Sequence, residues 1–424
     1  MFYGLDVHKR FIQVCEVDDD GHTRREFRLA TTPEAIDGFG ARLGPKDHVV
    51  LEATFHTWAI WSRLVPRAGT VVVANPLQVK AIAHARIKTD KIDARILAQL
   101  LRAGLIPEVE MPDAKTWELR QLVAHRRFLG KRLVAAKNAI RGVVNKRLLV
   151  CQYVELFGPS GRRWLAEQAF TDTEWFIVGS VLDLHDAIER RLVAVDARLR
   201  VEASMELDAK LLMTVPGVNI TVAIGLLSAI GDIRRFPAPQ KLAAYFGLAP
   251  STYQSGDTCH HGRITKQGRS HARWLAIEAA QSVAMSSAPL SATYHRVKRK
   301  KGHNVAVTAL ARKLVVLVWH LLRHREPYRY APVARTRHKL RRVSPHVPPA
   351  RIGQVPTTLE AIYAEAGLPI PTPPTPGEKR VTAVNRRAIT IALKDRRPAA
   401  GVSRPAERVT PMFSSACARD LTDT

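Results

Sequence analysis

Cysteine is scarce in this chain: four in 424 residues, at positions 15, 151, 259 and 417, with no C-x-x-C pair among them. That scarcity excludes a disulfide framework and fits a reducing, cytoplasmic compartment. Long apolar runs are missing as well. No stretch of about eighteen apolar residues is visible, and the N-terminus enters structured sequence without a secretory pattern, so neither a membrane span nor export is expected. Acidic charge is the third shortage. Only 38 Asp and Glu face 65 Lys and Arg, a formal net charge of +27. An excess of that size favours a polyanionic partner, because each phosphate that a cation neutralises releases counterions.

What is present reads as about three domains. Residues 2–7 (FYGLDV), 10–17 (RFIQVCEV) and 22–31 (HTRREFRLAT) are β-branched and aromatic runs separated by tight turns, an antiparallel meander. A helix from Pro33 to Leu43 follows, then a strand HVVLEAT at 48–54, a helix from Trp58, a strand TVVVAN at 70–75 and a helix Asp90–Arg102. Three antiparallel strands followed by alternating helices and parallel strands is the α/β order of an RNase H-like sheet. Residues 116–150 and 174–202 carry apolar residues at helical spacing among many charges, and predict an antiparallel coiled-coil or dimerisation arm. From 207, LLMTVPGVNITVAIGLLSAIGD sets Pro-Gly-Val between two apolar helices. That is a helix-hairpin-helix pattern whose turn, at Gly217, would bring backbone N–H groups to a DNA phosphate. The expected organisation is an α/β domain over 1–110, a helical arm over 111–205, a mostly helical unit over 206–330 and a basic, Pro-rich, mostly disordered tail over 331–424, with one short helix at TTLEAIYAEAG.

Four carboxylates stand out. Asp6 lies in an apolar strand, Glu52 closes the run VVLE, and Asp90 and Asp93 open a helix. Divalent-metal phosphoryl chemistry needs oxygen ligands around ions about 3.5–4 Å apart. Acids three apart on a helix, with Cβ atoms about 5–6 Å apart, can share such a site. On a helical wheel Ile92, Ile96, Leu97, Leu100 and Leu101 cover one arc, with Asp93 inside it and Asp90 near its edge. Lys91, Ala94, Arg95 and Arg102 take the opposite side. A carboxylate in an apolar stripe needs a metal or a cation; the competing reading is a pair of first-turn acids serving the helix dipole, and for Glu52 a solvated strand end. His8 and Lys9 read as strand-turn residues. The segment GLAPSTYQSGDTCHHGRITKQGRSHARWL (247–275) packs hydroxyls, glycines and cations into one loop. Ser255 precedes Gly256, and Arg263, Lys266 and Arg273 are available for phosphate charge. Composition alone makes a Ser-Gly turn structural, and the Cys259-His260-His261 spacing is wrong for a structural zinc site.

Taken together, GLDVHK, LEAT, KTDKIDARILAQLL, TVPGVNITVAIGLLSAIGDIRRF, AAYFGLAPSTYQSG and GRITKQGRSHARWL resemble the DEDD insertion-sequence transposases of the "IS one-ten" family, in family order over roughly residues 1–325. The resemblance implies a RuvC-like nuclease domain whose acids Asp6, Glu52, Asp90 and Asp93 bind magnesium or manganese. It also implies a C-terminal domain whose serine, placed at Ser255 with Ser251 as the rival, attacks DNA and holds a covalent phosphoserine. Double-stranded donor and target DNA, a structured noncoding guide RNA and a homo-oligomer, dimer or tetramer, with a site composed from two protomers, are the expected partners. Phe55 departs from the glycine that often follows Glu-Ala-Thr in the family. A junction-resolving nuclease would need only the acids and water, so the serine loop argues against it. A non-catalytic binding protein would have no need of the intact acid set.

Overall fold

Alternating apolar side chains form the strands Phe2–Val7 (β1), Phe11–Val17 (β2) and Thr23–Ala30 (β3), joined as antiparallel neighbours. The chain then crosses back through Pro33–Gly40 (α1), with Pro33 in its first turn and Thr32 as N-cap, to His48–Glu52 (β4). A second crossover through Thr57–Leu64 (α2) leads to Thr70–Ala74 (β5). β4 lies parallel to β1 and β5 parallel to β4, giving the order β3-β2-β1-β4-β5. This is the mixed α/β arrangement expected from the sequence. The helix Pro76–Ile82 (α3) was not expected; Asn75 starts it by accepting the Leu77 N–H on its side-chain oxygen at 3.1 Å. Asp90–Arg102 (α4) follows, capped by the Thr89 hydroxyl. These elements come from a computed structural model that describes residues 1–82, 89–255, 257–286, 289–343 and 358–373, and a few positions between 376 and 384. The chain divides into two compact units, Met1–Ala114 and Lys115–Thr424.

In the first unit, the period of two along each strand sends Tyr3, Leu5, Val7, Val49 and Leu51 to one face, where they pack with Ile36, Phe39, Ile60 and Leu64 of α1 and α2. The other face holds Phe2, Gly4, Asp6, Val50 and Glu52, and α4 covers it. Here the helical wheel needs correction. Ala94 is completely buried, not solvent-facing, and lies with Leu97 and Ala98 against the sheet. Gly4 is the reason. A Cβ on Gly4 would stand 2.0 Å from the Ala94 carbonyl oxygen and 2.7 Å from the Ala98 nitrogen, so the strand backbone and the helix backbone touch. Gly4→Ala must push α4 off the sheet. Overpacking against backbone should cost about 3 kcal/mol, read from the urea midpoint. The same displacement moves Asp90 and Asp93 at the helix N-terminus away from the strands.

The second unit opens on two long helices, Ala114–Lys146 (α5) and Asp172–Met205 (α7), with Pro159–Ala166 (α6) between them. The ion pairs Lys115–Glu206, Arg126–Asp196 and Arg147–Glu174 run in opposite sequence order, so α5 and α7 are antiparallel. A small core of Ile140, Val144, Leu156, Phe157, Leu165, Phe170 and Val178 closes the far end of this arm. The larger core gathers Leu207–Met213 (α8), Ile220–Ile230 (α9), Pro239–Tyr245 (α10), Ser270–Ala284 (α11) and Ser291–His324 (α12). α12 is interrupted by Arg312 and Lys313, so it holds no unbroken apolar run. Among the described residues it is the one helix long and apolar enough to cross a membrane, yet Ala306, Leu310, Leu314, Val318 and Leu322 are buried in this core. Its kink at Gly302, φ +78°, separates that apolar half from a basic half.

Part of the tail is folded rather than disordered. Val333–Arg341 (α13) and the anticipated short helix, Leu359–Glu365 (α14), bring Leu340, Ile362 and Tyr363 into the same core. Most of the remaining tail lies outside the described residues. The segment at 250–270 also differs from the expected loop: Pro250–Ser255 (β6) and Thr258–Ile264 (β7) pair as an antiparallel hairpin. Gly256, between the two strands in sequence, lies outside the described residues.

Candidate functional site

Strand register assembles the acids. Leu5 of β1 stands beside Leu51 of β4, so the next pair along the parallel ladder is Asp6 and Glu52, both half-buried and on the face that α4 covers. Adjacent strands are about 4.8 Å apart. On α4, Asp90 lies one turn before Ala94, and Asp93 one turn before Leu97. Ala94 and Leu97 are the buried contacts with the sheet, so the two acids continue those inward rows past them. The close packing of Gly4 therefore carries Asp90 towards Asp6.

The cluster includes a residue that the sequence reading set aside. His8 is not a bystander of the strand turn: its Nε2 lies 3.0 Å from Asp6 Oδ2 and 3.3 Å from Asp90 Oδ1. Asp6, His8 and Asp90 each offer one ligand atom, all within 4.8 Å of one another. Arg28 of β3 completes the surroundings. The registers Asp6↔Gln13 and Gln13↔Arg28 align the three residues across the sheet, and the Arg28 Nη2 reaches Asp90 Oδ2 at 3.4 Å. The signal for both was positional. His8 follows Asp6 by two residues at the strand end, and Arg28 shares its cross-strand row, which becomes legible once the register is known. Behind Glu52, the Thr57 hydroxyl meets the Glu52 and Thr54 carbonyls at 3.1 and 2.9 Å and accepts the Thr54 N–H at 2.6 Å, which fixes the turn after the strand.

Burial raises the Asp6 carboxyl above its ordinary range; His8 opposes the shift, and Asp93 and Asp90 add to it as like charges. A group of mutually repelling carboxylates beside one imidazole is a donor set that a divalent cation relieves. His8 meets Asp6 and Asp90 at hydrogen-bond distance, and the three groups offer ligand atoms all within 4.8 Å of one another, close enough to share one divalent cation. The residues fit a metal.

The second constellation is the hairpin. Ser255 is exposed at the end of β6, paired with Thr258, whose hydroxyl donates to the Ser255 carbonyl at 2.8 Å. Ser251 is differently placed: its Oγ donates to the Arg263 carbonyl at 3.2 Å and closes against Gly262. Arg263 and Lys266 are exposed beside it. Lys266 is held at φ +56°, a conformation non-glycine residues seldom adopt. Arg273, expected to supply phosphate charge, instead directs Nη1 to the Phe246 and Lys266 carbonyls at 3.0 and 2.9 Å and holds the loop. Gly217 sits in the turn between α8 and α9 at φ +80°, where a Cβ would meet the Ala279 carbonyl oxygen at 2.3 Å. Packing against α11 is thus sufficient reason for a glycine there.

Residues 3–147 match a family model described as a transposase, of the DEDD type of IS110, and residues 209–296 match one described as the transposase IS116/IS110/IS902 family. The chain belongs to the IS110 transposase family. It is 24% identical over 335 residues to the transposase for insertion sequence element IS1111A of Coxiella burnetii, covering 77% of this chain and 90% of that protein. It is 25% identical over 292 residues to the pilin gene-inverting protein of Moraxella bovis, covering 66% and 81%. With the insertion element IS110 43.6 kDa protein of Streptomyces coelicolor, itself uncharacterized, identity is 28% over 344 residues, covering 62% and 85%. In this IS110-family chain all four acids fall within the first matched segment, and Gly217, Ser251, Ser255, Arg263, Lys266 and Arg273 fall within the second. A DEDD domain implies a divalent metal and a DNA substrate; α13 and α14 lie beyond both matches.

Proposed function

We propose that this protein is a magnesium-dependent DNA recombinase that excises and inserts a mobile element, with Ser255 as nucleophile and a structured noncoding RNA as guide. The observation that carries the reading is the meeting of Asp6, His8 and Asp90 at the end of the sheet, with Glu52 and Asp93 on the same face. A cation held by Asp6, Glu52, Asp90 and Asp93 would polarise phosphoryl oxygens. Beside it His8 bridges two carboxylates and Arg28 lies against Asp90. In the second unit, exposed Arg263 and Lys266 offer charge to a phosphate at the hairpin. Ser255 in the hairpin supplies an exposed hydroxyl, which forms the Oγ–P bond as the 3′ or 5′ oxygen of the cut strand departs with the proton. The guide RNA, a dimer or tetramer, and a site shared between protomers come to this reading from the family resemblance.

The test is a joining assay. Purified protein, magnesium, transcribed RNA from the element's flank and a labelled DNA carrying the element ends should yield joined recombinants. Cleaved ends without joining would favour a junction-resolving nuclease instead, and intact DNA under every metal and RNA condition would overturn the reading.

A further inference from the structure

α5 carries nine Lys and Arg against one Glu. α7 neutralises part of this charge through Arg126–Asp196, but Arg127 and Lys131, one turn apart, are exposed and pair with no carboxylate among the described residues. Close to them begins α11. Its His271 and Trp274 stack with ring centroids 5.7 Å apart and planes inclined by 15°. The two pairs share one neighbourhood. Burial, then the fields of Arg127, Arg126 and Lys131, push the His271 imidazole down to about 4, so the ring is neutral at physiological pH. Beneath them, a Cβ on Gly225 of α9 would meet both Leu275 of α11 and Val123 of α5, which places the two helices side by side over α9.

The indole of Trp274 is 44% exposed although it stands over a well-packed core. On α5, Phe128 is 51% exposed, with the Arg132 guanidinium 5.1 Å above its ring. Exposed aromatic faces interleaved with unpaired cations are the elements of a stacking platform: the ring takes a base and the cations take the flanking phosphates. The partner's strandedness follows from geometry. In a duplex each base face is covered by its neighbours, so an exposed indole finds a free π-face only on an unpaired nucleotide. We infer that the α5–α11 face binds single-stranded nucleic acid, with one base stacked on Trp274 and phosphates held by Arg127 and Lys131. This deepens the nucleic-acid reading above and rests on it for the class of partner, while using none of the acid cluster or the serine hairpin.

Fluorescence anisotropy with the full-length protein in chelator tests it, using a labelled oligothymidylate of about 20 nucleotides and a duplex of equal length. Trp274→Ala should weaken the single strand about tenfold and leave the duplex within about twofold. Trp274→Phe should recover most of the loss, because stacking needs a π-face rather than an indole. Arg127→Gln with Lys131→Gln should lower the slope of log affinity against log salt by about two phosphates' worth. Unchanged single-strand affinity in Trp274→Ala overturns the inference, as does an equal loss on both probes. A change of mass by light scattering with no change in binding also overturns it, since the face would then be a contact between copies. Should Trp274→Ala fail to fold, the phenylalanine and double glutamine variants decide the matter. Failure of the joining assay with a preserved single-strand difference would refute the recombinase reading and leave this face standing.

Discussion

Asp90→Asn should reduce DNA cleavage by at least about a thousandfold, some 4 kcal/mol of transition-state stabilisation, while DNA affinity in chelator stays within about twofold. The substitution is isosteric, and Asp90 is 36% exposed in the first helical turn. The Thr89 hydroxyl still caps the helix through the Ile92 N–H, so the fold loses at most about 1 kcal/mol of helix-dipole interaction. What disappears is one of the charged oxygens in the cluster with Asp6 and His8. A second readout does not depend on turnover. Magnesium at about a hundred times its dissociation constant should stabilise the wild-type protein by about 2.7 kcal/mol, seen as a raised unfolding midpoint, and the variant should show little of that rise. Cleavage above a tenth of the wild-type rate would remove Asp90 from the metal site. A midpoint that ignores magnesium in the wild type would remove the metal.

Ser255→Ala should eliminate covalent protein–DNA adducts trapped under denaturing conditions, a loss to background, whereas Ser251→Ala should retain them. The two hydroxyls differ in what already holds them. Ser251 Oγ is bonded to the Arg263 carbonyl inside the hairpin and has Gly262 against it. Ser255 is exposed at the end of its strand. An alcohol has little nucleophilicity at neutral pH and needs help with its proton and with the charge that develops on phosphate. Loss of adduct only in Ser251→Ala would move the nucleophile there, and adducts in both variants would refute a serine mechanism. Mixing Ser255→Ala with Asp90→Asn protein then examines the shared site. Restored cleavage means that acids and serine act from different chains; no restoration means that they act within one.

Much of the first unit was legible before any coordinates. β1, β2, β4 and β5 announce themselves by apolar residues, α4 by its amphipathic period, and Asp6 and Asp93 by standing among apolar residues, with Asp90 at the edge of its stripe and Glu52 at a strand end. These are local signals, carried by side chains a few positions apart. Which strand neighbours which, and in what register, depends on contacts between residues far apart in the chain. That is why Arg28 and His8 became members of the site only when β3, β2, β1 and α4 were placed side by side. The helical wheel put Ala94 outside because alanine carries little hydrophobic weight, yet a small side chain is what a backbone-to-backbone contact with Gly4 requires. The hairpin at Ser255 was hidden by polar strands with both faces wet, where the alternation of apolar and polar residues that marks a strand is weak. Similarly, Tyr363 of the tail is buried through contacts distant in sequence: its hydroxyl donates to the Tyr328 carbonyl at 2.6 Å and meets the Thr214 side chain. The sequence by itself determined the chemistry available: an acid set suited to a metal, an excess of positive charge suited to phosphates, and hydroxyls among glycines and cations. Only the tertiary structure decided which of these groups meet, because meeting is a property of packing distance, and packing distance is set by the whole core at once.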